Sequence, residues 1–450
     1  MDIKGRIRSL FKSEGRSGVV KKNIVASFGI KGVSMLISFA LVPLTIGYVS
    51  SELYGVWLTL SSILTWLGFL DIGFSQGLKN KLTEAIAVGD WARGKSLVST
   101  TYLMMVLIFV PVCLALECLI PAIDWTSLLN VSAQYEDEIR RVMYVLIAFA
   151  SLQMIVNVLV SVVAAFQKVA LSNSFNVIGN FISLIIIVVL TKTCPPSLQA
   201  LAFSFAAMPV LVTIVASLIL FSGRFKTVSP SIKAIDRGLI KDLFGLGYKF
   251  FIINIQVVVL YQSTNILISN VSSPNEVTTY NIAYKLLSCA MMVYTIITGP
   301  LWPAYTDAYA REDYDWMKNM RAKMQKILLY SVAGCALIVA ASPFIYKVWI
   351  GDRVDVPVLM TTMVAVYVAV YCWMNLNGTL VVGMGKVKLE TILVIIGMCV
   401  HIPLALFLGH RIGAYGVITS LIAVNLMYAI FMQIQVDRIL SKKAKGIWLE

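Results

Sequence analysis

The sequence predicts an all-α polytopic membrane protein, with about twelve transmembrane helices arranged as two parallel six-helix lobes around a central cavity. Three observations predict it. The chain is 59% hydrophobic and 13% charged over 450 residues, whereas soluble globular proteins carry about 25% charged residues. Apolar runs of about 20 residues, the length that crosses a bilayer as a helix, recur along the whole chain with short polar stretches between them. An internal repeat relates the second half to the first. The runs are continuous and so read as helices, because barrel strands would show segments of about ten residues alternating in polarity.

Spans are predicted over residues 23–48, 54–76, 97–120, 142–165, 170–191, 199–221, 247–270, 279–303, 327–350, 357–382, 389–409 and 413–435. The basic tail before them, residues 1–22, carries many charges ahead of the first apolar run and no small-residue cleavage site. The first span is therefore expected to be its own insertion signal. Residues 23–221 form the N-lobe, 222–246 a basic cytoplasmic linker, 247–436 the C-lobe and 437–450 a C-terminal tail. With the N-terminus inside, most of the 37 Lys and Arg fall on cytoplasmic segments, as the positive-inside rule requires. Both termini are then cytoplasmic. The net charge of +14 is spread over short loops and tails, which points to topology and anionic-lipid contact and away from nucleic acid.

Of seven cysteines only Cys194 lies in an outer loop, and there is no CxxC spacing, so no disulfide framework is expected. His401 and His410 stand alone, without the paired spacing of a metal site. No metal and no cofactor are expected.

The repeat rests on three matches offset by about 220 residues. VSSELYG from Val49 returns as VSSPNEVTTY from Val271. TEAIAVGDW, from Thr83 to Trp91, returns as TDAYAREDY, from Thr306 to Tyr314. QKVAL, from Gln167 to Leu171, returns as GKVKL, from Gly385 to Leu389. An even number of spans per half keeps both halves in one orientation, so the repeat is parallel, and two such lobes can rock about a cavity between them.

Polar groups inside spans are costly in lipid and face the protein interior or water. Ser27, Lys31, Ser34 and Ser38 recur at helical spacing on one face of the first span. Its repeat mate, the seventh span, offers Lys249, Asn254, Tyr261, Gln262 and Asn265. Lys31 and Lys285 lie inside spans; each either meets substrate or snorkels its ammonium to the surface. Asp71, Lys249 and Asp307 are coupling or gating candidates, the acids binding a coupling cation or pairing with lysines, and Lys249 also reads as a topology anchor. Gln153, Asn157 and Ser161 share one face of the fourth span and Asn173, Asn176 and Asn180 one face of the fifth; interhelical hydrogen bonding is their expected use. Glu117 reads as interfacial. Pro43, Pro300, Pro303 and Pro403 permit kinks.

The stretch LVPLTIGYVSSELYGVWLTLSSILTWLGFLDIGFSQGLKNKL, Leu41 to Leu82, followed by GDWARGK, resembles the N-terminal signature of Wzx-type polysaccharide-biosynthesis flippases. These belong to the multidrug/oligosaccharidyl-lipid/polysaccharide (MOP) exporter superfamily. YNIAYKL, Tyr280 to Leu286, and GPLWPAYTDAYA, Gly299 to Ala310, extend the resemblance into the second half. It implies the MOP flippase fold in a bacterial inner membrane. It also implies translocation of undecaprenyl-diphosphate-linked oligosaccharide units for O-antigen, capsule or exopolysaccharide. The coupling would be to H+, Na+ or membrane potential, and the partners a polysaccharide polymerase and its chain-length machinery. A diphosphate in a cleft needs cations, for which Lys31 and Lys285 are candidates. A cation-coupled drug or organic-cation antiporter is the alternative, and would want membrane-buried carboxylates. A membrane polymerase or ligase is a second; the longest outer loop, Pro121 to Arg141, shows acids without a nucleophile or metal-ligand spacing, so the chain is not expected to be an enzyme.

Overall fold

A polypeptide in hydrocarbon must satisfy its backbone amides internally, and a helix does so residue by residue. The computed structural model describes residues 16–67, 74–166, 168–241, 243, 258–298, 301, 305, 308–309 and 311–449, and among them no strand occurs. In chain order the helices are α1 (Arg16–Tyr48), α2 (Ser51–Leu67), α3 (Phe74–Val88), α4 (Trp91–Leu119), α5 (Glu136–Val156), α6 (Val158–Ala165), α7 (Val169–Thr193) and α8 (Leu198–Ser222). They continue with α9 (Thr264–Val271), α10 (Pro274–Thr298), α11 (Tyr314–Trp349), α12 (Val358–Gly383), α13 (Lys388–Ile412) and α14 (Ala414–Leu440). A π-helical turn, Val258–Gln262, leads into α9. Among the described residues nine helical stretches are long and apolar enough to cross a membrane. The chain is a multi-pass, all-helical membrane protein.

Several helices outrun the apolar runs that predict them, α1 by seven residues and α5 by six among them. α4 begins at Trp91, six residues ahead of its predicted span, and α11 at Tyr314, thirteen ahead. Hydropathy sees the span but not the polar turns that continue the same helix. In α11 those turns are held by Lys318 with Asp315 at 3.4 Å and by the buried Arg321 with Asp437 of α14. The fourth span is interrupted at Asn157, where Gln153 Nε2 donates to Asn157 Oδ1 at 2.6 Å and α5 gives way to α6. The amide bond is within one chain segment, where interhelical bonding was expected.

The internal repeat is a repeat of helix caps. Asp90 and Asp313 take nearly the same backbone shape, φ −83°, ψ 79° and φ −80°, ψ 67°. Each carboxylate accepts from the amide three residues on, Arg93 N at 2.9 Å and Trp316 N at 3.0 Å. Each backbone N–H returns to the preceding helix, to Ala85 O and Ala308 O, both at 2.9 Å. Just before them Gly89 and Glu312 both sit in the left-handed region, at φ 73° and 57°. The third motif repeats as well: Lys168 N reaches Val163 O and Lys386 N reaches Val381 O, each at 3.1 Å.

The chain divides into two compact units. The first draws on Met1–Ser50, Ile63–Thr126 and Ser132–Ile255. Its core joins Leu78 and Leu82 of α3, Met105 and Phe109 of α4, Val158 and Val162 of α6, and Phe225 and Val228 beyond α8. Lipid is as apolar as leucine, so close approach has to hold such helices together. Gly179 of α7 allows it: a Cβ there would lie 2.6 Å from Pro209 Cα of α8. The second unit draws on Ser51–Ser62, Ser127–Val131 and Gln256–Glu450. Within it the first half of α2 lies against α10, its repeat mate. Thr278 Oγ1 donates to Ser51 O at 2.7 Å and Ser51 Oγ to Asn275 Oδ1 at 2.6 Å. A Cβ on Gly55 would lie 1.8 Å from Pro274 O.

Candidate functional site

Each unit carries its own set of intramembrane polar groups. In the first, Lys31 is exposed, and Ser34 and Ser38 are half-buried on the same face of α1. The helix packs along α7. The two run parallel, because Tyr48 Oη at the end of α1 donates to Pro195 O just past the end of α7, at 2.9 Å. Counting back from that tie at about 1.5 Å per residue, Lys31 lies roughly level with the stretch between Asn176 and Asn180.

Those asparagines correct the sequence-based expectation. Asn173 and Asn176 are exposed and Asn180 is half-buried. Among the described residues none of the three side chains has a hydrogen-bond partner, so they bridge no two described helices. A sequence tells which residues share a helix face, not whether another helix covers it. An amide facing lipid tails forfeits hydrogen bonds at a cost of roughly 2–7 kcal/mol. These flanks of α1 and α7 therefore call for water or a polar ligand. They present one cation, a serine hydroxyl and amides that both donate and accept, a set suited to phosphate and sugar hydroxyls.

In the second unit five tyrosines form a continuous ladder. Tyr280 stacks on Tyr284 with centroids 5.9 Å apart, Tyr284 meets Tyr367 at 6.3 Å, Tyr367 meets Tyr371 at 6.2 Å, and Tyr371 meets Tyr261 edge-on at 6.1 Å. Tyr261 Oη then donates to Asn425 Oδ1 at 3.1 Å. The spacing that builds the ladder is four residues, Tyr280 and Tyr284 on α10, Tyr367 and Tyr371 on α12, continued by Asn375, which accepts from Thr298 Oγ1 at 3.1 Å. Lys285 follows Tyr284 and is half-buried near the midpoint of the 25-residue α10. It is about 16 Å from the nearer helix end. Gln262 is half-buried beside Tyr261.

Asn265 is committed to packing. Its Nδ2 donates to Ser62 Oγ at 2.6 Å and its Oδ1 accepts from Asn281 Nδ2 at 2.8 Å, a knot that joins α2, α9 and α10. Asp71, Lys249, Asn254 and Asp307 lie outside the described residues, as do Pro300 and Pro303. Glu117 accepts weakly from Cys113 Sγ at 3.6 Å. His401 and Ser420 pair at 3.0 Å in the core between α13 and α14. The acids between α4 and α5 and at the start of α5 serve helix ends: Glu138 accepts from Leu198 N at 2.8 Å, and Glu136 pairs with Arg140 at 2.6 Å. Sequence reasoning missed the tyrosine ladder, Asn281 and Asn425. The four-residue tyrosine spacing inside two spans was the signal available.

A sequence-family model described as polysaccharide biosynthesis protein matches residues 20–309. The chain belongs to this family. Two relatives bear the name putative O-antigen transporter. The one from Salmonella typhimurium (strain LT2) is 24% identical over 177 residues, 38% of this chain and 41% of that protein, so the match spans about two-fifths of its length. The one from Salmonella typhi is 21% identical over 415 residues, 90% of this chain and 91% of that protein. Among solved structures, an inward-facing multidrug resistance MATE family transporter of the MOP superfamily matches with a TM-score of 0.77 at 14% identity, over 94% of this chain and 100% of that one. At that identity the likeness is one of fold. This member of the polysaccharide biosynthesis family thus has the MOP transporter fold that its sequence predicts.

Proposed function

We propose that this protein is a flippase that passes undecaprenyl-diphosphate-linked oligosaccharide units from the cytoplasmic to the outer leaflet of a bacterial inner membrane by alternating access, for O-antigen, capsule or exopolysaccharide synthesis. The observation that carries the reading is chemical. In a family of polysaccharide biosynthesis proteins, each unit of this chain sets a lysine within a long helix among amides and hydroxyls. Cations there suit an anionic headgroup, and tyrosine faces with polar rims suit sugar rings, apolar on their faces and hydroxylated at their edges. An exporter of cationic drugs would want the opposite charge.

On this reading Lys31 or Lys285 contacts the diphosphate. Ser34, Ser38, Asn173 and Asn176 hydrogen-bond the headgroup, and Tyr261, Gln262 and the half-buried Tyr284 and Tyr371 of the ladder contact the sugar. The polyprenyl chain stays in lipid. H+ or Na+ exchange, or the membrane potential, drives the cycle, with both termini cytoplasmic and the polymerase receiving the product outside.

Binding tests the assignment directly. Purified full-length protein is titrated with a short-chain polyprenyl diphosphate disaccharide and with the corresponding uncharged polyprenyl disaccharide. The diphosphate is expected to bind at least about tenfold more tightly, a factor worth about 1.4 kcal/mol, and K31Q or K285Q is expected to erase most of that preference. Equal binding of both compounds, or a preference unaltered in both variants, overturns the reading.

A further inference from the structure

The first unit holds a cleft outside the groups assigned to transport. Tyr102 of α4, Ile214, Ser217 and Phe221 of α8, and Ser229 and Pro230 beyond it line a cavity of about 390 Å³, within the range of roughly 300–1,000 Å³ typical of small-molecule sites. Its walls are largely apolar, with the Tyr102 and Phe221 rings edge to face at 6.2 Å. Leu218 of α8 also lines it and is exposed, as are Leu211, Val215 and Ile219 of the same helix. In a transmembrane helix such exposed apolar side chains face acyl chains.

One turn past the cleft the character reverses. Phe225 packs on Phe166 with centroids 4.5 Å apart, and Lys168 Nζ stands 6.0 Å from the Phe225 ring centroid. Partial burial there, and then the charge of the neighbouring Arg224, hold the Lys168 ammonium below the ordinary lysine pKa. Among the described residues neither cation has a carboxylate partner. The nearest acid in the segment, Asp236, turns its Oδ1 to Gly238 N at 2.8 Å. Two cations side by side repel unless an anion bridges them. The lip of the cleft is fixed in place: Ser231 N donates to Ser99 Oγ at 3.0 Å, and Asp236 N to Thr100 Oγ1 at 3.0 Å.

We propose that this cleft binds an anionic phospholipid of the surrounding bilayer, with one acyl chain between Tyr102 and Phe221 and the phosphate bridging Lys168 and Arg224. The apolar cavity, ending near two neighbouring cations that have no carboxylate partner among the described residues, has the shape and polarity of a lipid seen from the protein. The ligand is resident, and the site stands whether or not the transported substrate is as proposed.

Delipidated full-length protein is titrated with phosphatidylglycerol or phosphatidylcholine, and the lipids retained are counted by native mass spectrometry. Phosphatidylglycerol is expected to be retained on the order of tenfold more tightly, since each basic residue near an anionic headgroup adds appreciably to binding. In K168Q/R224Q that ratio falls to about one, with phosphatidylcholine binding and melting temperature unaltered. In I214W, which fills the cleft, both lipids lose the tight site. Millimolar inorganic phosphate leaves the bound phosphatidylglycerol in place. A ratio unaltered in K168Q/R224Q, tight binding retained in I214W, or displacement by inorganic phosphate alone, which would mark a soluble-anion site, overturns the proposal.

Discussion

Asp90 and Asp313 show how single residues organise the chain. Each closes the turn between two helices by accepting from an amide of the next helix while its own N–H returns to the previous one. Removing the carboxylate in D90A or D313A is expected to cost about 1 kcal/mol each. Gly89, at φ 73°, has no Cβ to clash in the left-handed region, so G89A costs about 1 kcal/mol more than an alanine at an ordinary surface position. Thermal unfolding of the purified variants in detergent checks all three. These caps were legible because their residue types recur at one offset. Lys31 and Lys285 were legible too, as charges inside apolar runs. The tyrosine ladder was legible only as a four-residue spacing within each helix, because the ring contacts join α10, α12 and the π turn, residues far apart in sequence. The same holds for Asn173 and Asn176, whose exposure depends on what covers α7.

At the scale of elements, the spans follow from apolar length, and their polar extensions do not. α11 is 36 residues long, about 54 Å of helix against a hydrocarbon core of about 30 Å. Its first turns are stabilised by charge pairs and by the contact with Asp437 of α14, which hydropathy does not weigh. Packing between helices depends instead on small residues. The contact of α7 with α8 closes over Gly179 and Pro209, and G179L would drive a side chain into backbone atoms 2.6 Å from its Cβ. Such overpacking is expected to destabilise by about 1–3 kcal/mol. G334A, on a helical glycine with nothing within 4 Å of an added Cβ, serves as the control and should be neutral or slightly stabilising. Unfolding midpoints of the two variants decide this, and equal midpoints would refute the close-packing account.

For the whole molecule, the proposed orientation places Cys194 outside and residues 222–246 inside. Cys194 is exposed and Ile232 is 88% exposed, so both report on topology. In a chain with its other cysteines replaced, a membrane-impermeant thiol reagent should label Cys194 in intact spheroplasts. With Cys194 also replaced, I232C should label only after permeabilisation; the reverse pattern would invert the topology. The central claim is translocation itself. Vesicles reconstituted with the protein and loaded with a polyprenyl-diphosphate oligosaccharide in one leaflet should expose the sugar to an external glycosidase. Exposure should fall at least about tenfold in K31A or K285A at equal protein density, the loss of about 1.4 kcal/mol or more of binding. If no sugar crosses under proton, sodium or potential gradients while a cationic dye does, the protein is not a flippase of lipid-linked sugars.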